Sequence, residues 1–272
     1  MIICCGEALI DMIPTTLDSK ETAFIPKIGG AILNTSICLG RLGANVGFLG
    51  AVSKDLFGEM IFEELNNSKV NTSFCIETSN NTTLAFAKIA NGTTTYSFFD
   101  ENSSNRTICL KDVVLDDSVV DTIYVGGISL MSEPNGTEIE NFIAKESSKK
   151  IVFYDPNVRP NFIEDRSLFI QRFEKILSQS DIIKISEEDL EWLYPNGSFE
   201  EIYKQWLNLG LSIIVLTKGS EGAIIKTKNY EVTSRGEKVE VVDTIGAGDI
   251  FNGALLYSLS KHKSFSKKDL IN

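Results

Sequence analysis

The residues whose types and spacing could do most chemistry run from Val239 to Phe251: Val239-Glu240-Val241-Val242-Asp243-Thr244-Ile245-Gly246-Ala247-Gly248-Asp249-Ile250-Phe251. The β-branched run predicts a strand, the small residues a tight turn, and the apolar stretch opening at Asp249 a helix. Gly246, Ala247 and Gly248 carry almost no side chain, so the backbone there can approach an anion closely. The unpaired N–H groups of a first helical turn point toward such an anion, and the helix dipole favours its charge. Asp249 sits at the mouth of the same turn, where a carboxylate would repel a phosphate. A base aimed at a nucleophile about to attack that phosphate accounts for it. An ordinary N-cap in a plain βα turn accounts equally for the spacing. The run lacks the Gly-Lys-Ser/Thr ending of a P-loop, and Ile250 and Phe251 fill the place of a dinucleotide fingerprint's third glycine.

Other segments carry polar groups at predicted strand ends. Gly6-Glu7-Ala8-Leu9-Ile10-Asp11 follows the first strand, and a strand-end Asp11 can accept hydrogen bonds from two neighbouring hydroxyls or from nearby turn N–H groups. Gly29-Gly30 before Ala31 permits close approach of a ligand to the backbone, and Asn34 could bond a hydroxyl; a simple helix start fits the same residues. In Asp155-Pro156-Asn157-Val158-Arg159-Pro160 two prolines stiffen a loop that holds three polar side chains suited to a polyol or a phosphate. Lys184-Ile185-Ser186-Glu187-Glu188-Asp189 offers Ser186 as a helix cap and acids suited to a helix N-terminus; a carboxylate holding hydrated Mg²⁺ is the alternative. Thr217-Lys218-Gly219-Ser220-Glu221-Gly222 reads as a hairpin that could also line a nucleotide.

These segments need a scaffold. Ile2–Cys5, Val46–Val52, Thr122–Val125, Ile151–Tyr154, Ile182–Ile185 and Ile213–Leu216 are apolar runs without polar alternation, the mark of strands buried on both faces. Helical patterns lie between them, at Ala31–Leu42, Leu56–Leu65, Ser167–Leu177 and Phe199–Leu209. The alternation predicts an α/β fold with a mainly parallel sheet and helices on both sides. Met12–Ile28 and Thr83–Phe99 are β-prone but outside this rhythm, and Asn91-Gly92 is a hairpin signal. They predict a small accessory sheet over the strand ends, where ligands bind in such folds. No linker divides the 272 residues, so one domain is expected.

Composition narrows the function. A net charge of −11 argues against nucleic acid as the main partner. The single histidine, His262, leaves little material for a Ser-His-Asp hydrolase or a His-ligated zinc enzyme. Five cysteines without a C-x-x-C pair read as reduced thiols, and a chain that opens directly on a strand, with no leader or membrane span, predicts a cytoplasmic protein.

In this order, the segments resemble the ribokinase-like (PfkB) carbohydrate kinases, most like fructokinases and related sugar-acid kinases. The resemblance rests on Asp243 to Phe251, on Gly29-Gly30 with Asn34, on Asp155 to Arg159 and on Thr217-Lys218-Gly219. It implies a three-layer α/β/α core with a β-sheet lid, and ATP-dependent transfer of the γ-phosphoryl group to a sugar hydroxyl. Fructose is the expected acceptor; 2-keto-3-deoxygluconate or another sugar is the alternative, and a non-catalytic binding member is an alternative of another class. By motif match, Asp249 would take the hydroxyl proton, while Gly246, Ala247 and Gly248 would form the anion hole. Asp11, Gly29, Gly30, Asn34, Asn157 and Arg159 would hold the sugar. Lys184, Ser186, Thr217, Lys218, Gly219 and Gly222 would line the nucleotide. Asp189 would help place Mg²⁺, and Asp243 and Ile245 would lie beside a monovalent-cation site of the K⁺ type. Dimerisation through the lid is a further expectation. Two departures stand out: the family's Asn-x-x-Glu motif is Ser186-Glu187-Glu188-Asp189 here, and the lid strand ends Phe98-Phe99-Asp100 with Arg106 the nearest arginine.

Overall fold

The computed structural model describes residues 1–90, 93–238, 245–262 and 265–271. In chain order, β1 (Ile2–Cys5), β2 (Leu9–Thr16) and β3 (Thr22–Gly29) precede helix α1 (Ala31–Arg41), β4 (Val46–Leu49), β5 (Ala51–Ser53) and α2 (Leu56–Asn67). Then follow β6 (Ile76–Thr78), β7 (Thr83–Ala90), β8 (Thr93–Phe99), β9 (Thr122–Gly126), α3 (Asn135–Glu146), β10 (Ile151–Asp155) and α4 (Arg166–Leu177). The remainder is β11 (Ile182–Ser186), α5 (Glu187–Leu193), α6 (Phe199–Leu209), β12 (Ile213–Thr217), β13 (Ala223–Lys226), β14 (Glu231–Ser234), α7 (Ala247–Ser260) and α8 (Lys267–Ile271).

Among the described residues eight strands form the main sheet, in the order β14-β13-β12-β11-β10-β9-β1-β4. From β12 to β4 every pairing is parallel, and β13 and β14 add an antiparallel edge. Alternate residues of each strand enter two different cores. Ile3 and Cys5 pack with Ile139, Ile143, Phe169 and Trp206 of α3, α4 and α6. Ile2 and Cys4 pack with Leu33, Ile37, Ile61 and Leu256 of α1, α2 and α7. Burial on both faces is why these strands are continuously apolar, and the result is a three-layer α/β/α sandwich. Cys4 and Cys5 are buried, Cys38 and Cys75 partly buried and Cys109 exposed.

β2, β3, β7 and β8 form the separate four-stranded sheet expected from the two β-prone segments, in the order β3-β2-β7-β8. Asn91 and Gly92 lie outside the described residues, as do Val239 to Thr244, so the turn and strand expected there, and Asp243, are not placed. One expected element is corrected: Val46–Val52 is not one strand. It breaks at Gly50 into β4 of the main sheet and β5, which pairs with β6. Only glycine fits at the break, since a Cβ on Gly50 would lie 2.3 Å from the Gly6 carbonyl and 2.7 Å from the Phe48 ring. Among the described residues no helix is long and apolar enough to cross a membrane.

Candidate active site

The parallel strands end on one edge of the main sheet. Asp155 closes β10 in register with Gly126 of β9, and Ser186 closes β11 in register with Thr217 of β12. A cavity of about 860 Å³ opens over this edge, walled by Leu9 and Asp11 of β2 and by Tyr96 and Phe98 of β8. It brings together Asp11, Gly30, Asn34, Asn157, Arg159, Lys184, Ser186, Asp189, Ile245, Gly246, Gly248 and Asp249, twelve residues singled out in the sequence. Gly29, Ala247, Thr217, Lys218, Gly219 and Gly222 are not in its lining.

Helix α7 starts at Ala247, two residues before the apolar stretch suggested, and its N-cap is Gly246 at φ +76°, a left-handed conformation suited to glycine. The N-cap explanation of Asp249 therefore fails: Asp249 is the third residue of the helix. Gly246 has no side chain to bond the first-turn N–H groups, an arrangement suited to receiving an anion. The Asp249 carboxylate is 7% exposed and its Oδ2 accepts a hydrogen bond from Asn34 Nδ2 at 2.9 Å. Thr35 Oγ1 donates to the Asp249 carbonyl at 3.2 Å, so the first turns of α1 and α7 are stitched together. Burial pushes the Asp249 carboxyl up to about 6; the Asn34 bond and Lys184 oppose this, and the Asp155 and Glu7 charges reinforce it. A carboxylate so tuned can accept a proton near neutral pH.

Beneath Asp249 lies a network that sequence reasoning did not assemble. Asp155, fully buried, receives Lys184 Nζ at 3.1 Å and Asn252 Nδ2 at 2.6 Å on one oxygen, and the Asn157 N–H at 3.2 Å on the other. Asn252 also donates to the Tyr124 hydroxyl at 2.9 Å. Asp155 is thus turned toward lysine and asparagine. A Cβ on Gly248 would lie 3.5 Å from Lys184 Nζ, so the ammonium faces the first turn of α7. The available signal was Asn252, an amide inside an apolar helix.

Asp11 is expected at a strand end; it is instead the third residue of β2, opposite Lys27 of β3. Burial pushes its carboxyl up to about 6. Gly29 makes room for it: a Cβ there would lie 2.1 Å from Asp11 Oδ2. Gly29→Ala is therefore expected to displace Asp11; on the expectation that Asp11 holds a sugar, this raises the KM for the sugar several-fold and leaves the KM for ATP unchanged, which steady-state kinetics with either substrate varied will show. Asn157 adopts φ +43°, and Arg159 Nη1 donates to the Val158 carbonyl at 3.0 Å. Arg106 lies outside the cavity, paired with Asp100 at 2.6 Å and over the ring of Phe162, which stacks edge-on against Phe98.

Ser186 is the N-cap of α5, accepting the Asp189 N–H at 3.1 Å. Asp189 Oδ1 accepts the Val158 N–H at 3.0 Å, and burial, then the Asp155 charge, push its carboxyl up to about 6. Among the described residues no group of three or more His, Cys, Asp or Glu side chains could hold a metal by itself. Glu188 and Asp189 do line the cavity, a donor set that fits Mg²⁺ held by one or two carboxylates, water and phosphate oxygens. Thr217 Oγ1 faces the Ile185 carbonyl at 3.4 Å, and Lys218 is ion-paired with Glu187 and Glu221. Gly219 and Gly222 have φ of +53° and +106°; a Cβ on Gly222 would lie 2.0 Å from the Ser234 carbonyl, so chain crowding alone requires glycine there.

A row of strand ends, a helix N-terminus that starts on glycine and a buried acid beside it equip a protein to transfer a phosphoryl group to a hydroxyl. The chain matches the pfkB family carbohydrate kinase model over residues 1–268, and it belongs to that family. A fructokinase of Rhizobium leguminosarum bv. trifolii is 40% identical over 270 residues, 99% of this chain and 83% of that one. The structure of fructokinase with bound ATP from Xylella fastidiosa superposes with a TM-score of 0.89 at 25% identity, covering 99% of this chain and 84% of the other. Fructokinase from Vibrio cholerae O395, in a form with fructose, ADP and calcium ion bound, shares the fold at a TM-score of 0.84 and 24% identity, over 99% of this chain and 87% of that one.

Proposed function

We propose that the protein is an ATP-dependent fructokinase, converting fructose to fructose 6-phosphate. The observation that carries this is Asp249, buried on the first turn of α7 and held by Asn34 at the wall of the strand-edge cavity. The 40% identity to a fructokinase supports fructose as the acceptor.

In this reading the sugar lies against Asp11, Gly30, Asn34, Asn157 and Arg159, with Gly29 shaping the wall behind Asp11. Asp249 takes the proton of the attacking hydroxyl, whose oxygen bonds to the γ-phosphorus as the bond to the ADP oxygen breaks. Backbone N–H groups of the Gly246-Ala247-Gly248 turn, with the Lys184 ammonium, stabilise the charge on the transferring group. Ser186, Thr217, Lys218, Gly219 and Gly222 border the nucleotide, Thr217 being the strand-edge neighbour of Ser186. Mg²⁺, when bound near Asp189, neutralises phosphate charge. Asp243 and Ile245 are assigned to a K⁺-type site. The chain acts as one domain with the small sheet as its lid, in the cytoplasm, and pairs with a second copy through that lid.

The test is a sugar panel with coupled detection of ADP. Fructose is expected to give the highest kcat/KM; preference for 2-keto-3-deoxygluconate, or no turnover of any sugar, would overturn the assignment. The pH profile follows from Asp249. Its carboxyl must be ionised to act, and its value is about 6, so kcat/KM holds above that pH and falls about tenfold per unit below it. Asp11 and Asp189 titrate in the same range and steepen the fall. A profile flat down to pH 5 contradicts Asp249 as base.

A further inference from the structure

Glu7 belongs to none of the roles above, yet its carboxylate is 2% exposed and lines the same cavity. It sits in the turn between β1 and β2. One oxygen accepts the Ile32 N–H at 3.4 Å; the other accepts the Ser129 N–H at 3.3 Å and a short bond from Ser129 Oγ. Among the described residues no lysine or arginine pairs with it. An acid buried against neutral donors alone is expensive, and an apolar side chain would fill the space at lower cost. Burial pushes its carboxyl up, which is the same cost in another form.

Two features show what the acid holds. Helix α1 has Gly30 as its N-cap, which has no side chain to cap with. Glu7 serves instead from a distance, presenting a carboxylate to the Ile32 N–H at the positive end of the helix. On the other side, the turn after β9 presses against the same carboxylate. A Cβ on Gly127, at φ +65°, would lie 2.4 Å from Glu7 Oε1, and a Cβ on Gly30, at φ +106°, would lie 3.2 Å from Glu7 Cγ. Two left-handed glycines therefore flank one acid. The first turn of α1 is thus fastened to Glu7 through Ile32 and to Asp249 through Asn34 and Thr35.

We infer that Glu7 is a positioning residue for the acceptor site: it clamps the N-terminus of α1 to the Gly127–Leu130 turn and so sets where Asn34 meets the sugar. This rests on the sugar-kinase reading of the cavity. A glutamine at position 7 offers one acceptor oxygen where the two walls need two, so it releases one of them.

The experiment uses the full chain. E7Q is expected to raise the KM for fructose roughly tenfold, with the KM for ATP and the thermal midpoint near wild type. The double variant with N34A is expected to be little worse than N34A alone, because Glu7 acts through Asn34. If E7Q does not fold, S129A, which removes one donor from the clamp, is expected to give the same split at smaller size. Hydrogen exchange reads the clamp without turnover: peptides covering residues 30–36 and 126–131 should exchange faster in the variant, and those covering β10 and β11 should not. Unchanged exchange, an unchanged fructose KM, equal rises in both KM values, or additive effects with N34A would overturn the role. Failure of the wild-type protein to phosphorylate fructose counts against the fructokinase reading instead, and the exchange result still decides the clamp.

Discussion

Asp249→Asn is expected to lower kcat by roughly 10²–10⁴-fold, the usual contribution of a positioned general base, while ATP binds as tightly as before. The substitution preserves shape, and Asn34 can still hydrogen-bond to the new amide oxygen, so the first turns of α1 and α7 stay joined. What is lost is the ability to take the hydroxyl proton. The same variant is expected to be more stable than the parent at pH 7.5. The Asp249 carboxyl titrates about 6 when folded, above its ordinary value of 3.8, because burial disfavours its charge. Its folded form takes up a proton as pH falls through about 6, so the cost of burying the charge is fully present above that pH and fades as pH falls toward 3.8. Replacing the acid by a neutral isostere removes that cost where the parent is ionised. Lower activity with equal or higher thermal midpoint is thus the signature of a catalytic carboxylate rather than a structural one. ATP affinity by calorimetry, kcat by ADP release and the midpoint by fluorescence check the three parts. Near-normal turnover contradicts the base assignment.

The second large effect falls on Asp155. Removing one partner of a buried ion pair leaves the other uncompensated and costs about 3–5 kcal/mol. Asp155→Ala strips Lys184 of its carboxylate and Asn252 and the Asn157 N–H of their acceptor. The thermal midpoint is expected to fall by roughly 10 °C. Pairing Asp155→Leu with Lys184→Met replaces both charges by apolar groups of similar bulk and is expected to recover much of that loss. It should not recover turnover, since the ammonium facing the first turn of α7 is gone and removal of one charge-stabilising donor costs about 10²–10³-fold. Recovery of both stability and activity would show the pair to be structural alone.

The scaffold was largely legible because it follows from local rules. β1 runs from Ile2 to Cys5 and α6 from Phe199 to Leu209, the limits that their apolar runs suggested. Strands buried on both faces advertise themselves by continuous apolar sequence, and the small sheet by two β-prone segments outside the βα rhythm. The break at Gly50 was not legible, because the need for glycine there comes from the Gly6 carbonyl, which the fold brings from the end of another strand. The site was legible in its members and not in its pairings. Asn34 stood out as a sugar-binding amide, but its bond to Asp249 spans 215 residues and no local pattern encodes it. Asp155 stood out as a binding residue and proves to be the anchor of Lys184. Glu7 carried no signal beyond being an acid in an apolar stretch, and its burial becomes visible only when the turn after β9 closes over it.

Everything proposed for this cavity depends on its transferring the γ-phosphoryl group of ATP to a hydroxyl of fructose. The most direct test is the product formed when the purified chain is incubated with ATP, Mg²⁺ and ¹³C-labelled fructose and examined by ³¹P and ¹³C NMR. One new phosphate monoester is expected, with phosphorus coupled to C6 of the sugar, appearing in step with ADP and at least about 10²-fold more slowly with Asp249→Asn. ADP formed without any sugar phosphate, or a phosphate ester that the asparagine variant forms as fast, would contradict this reading.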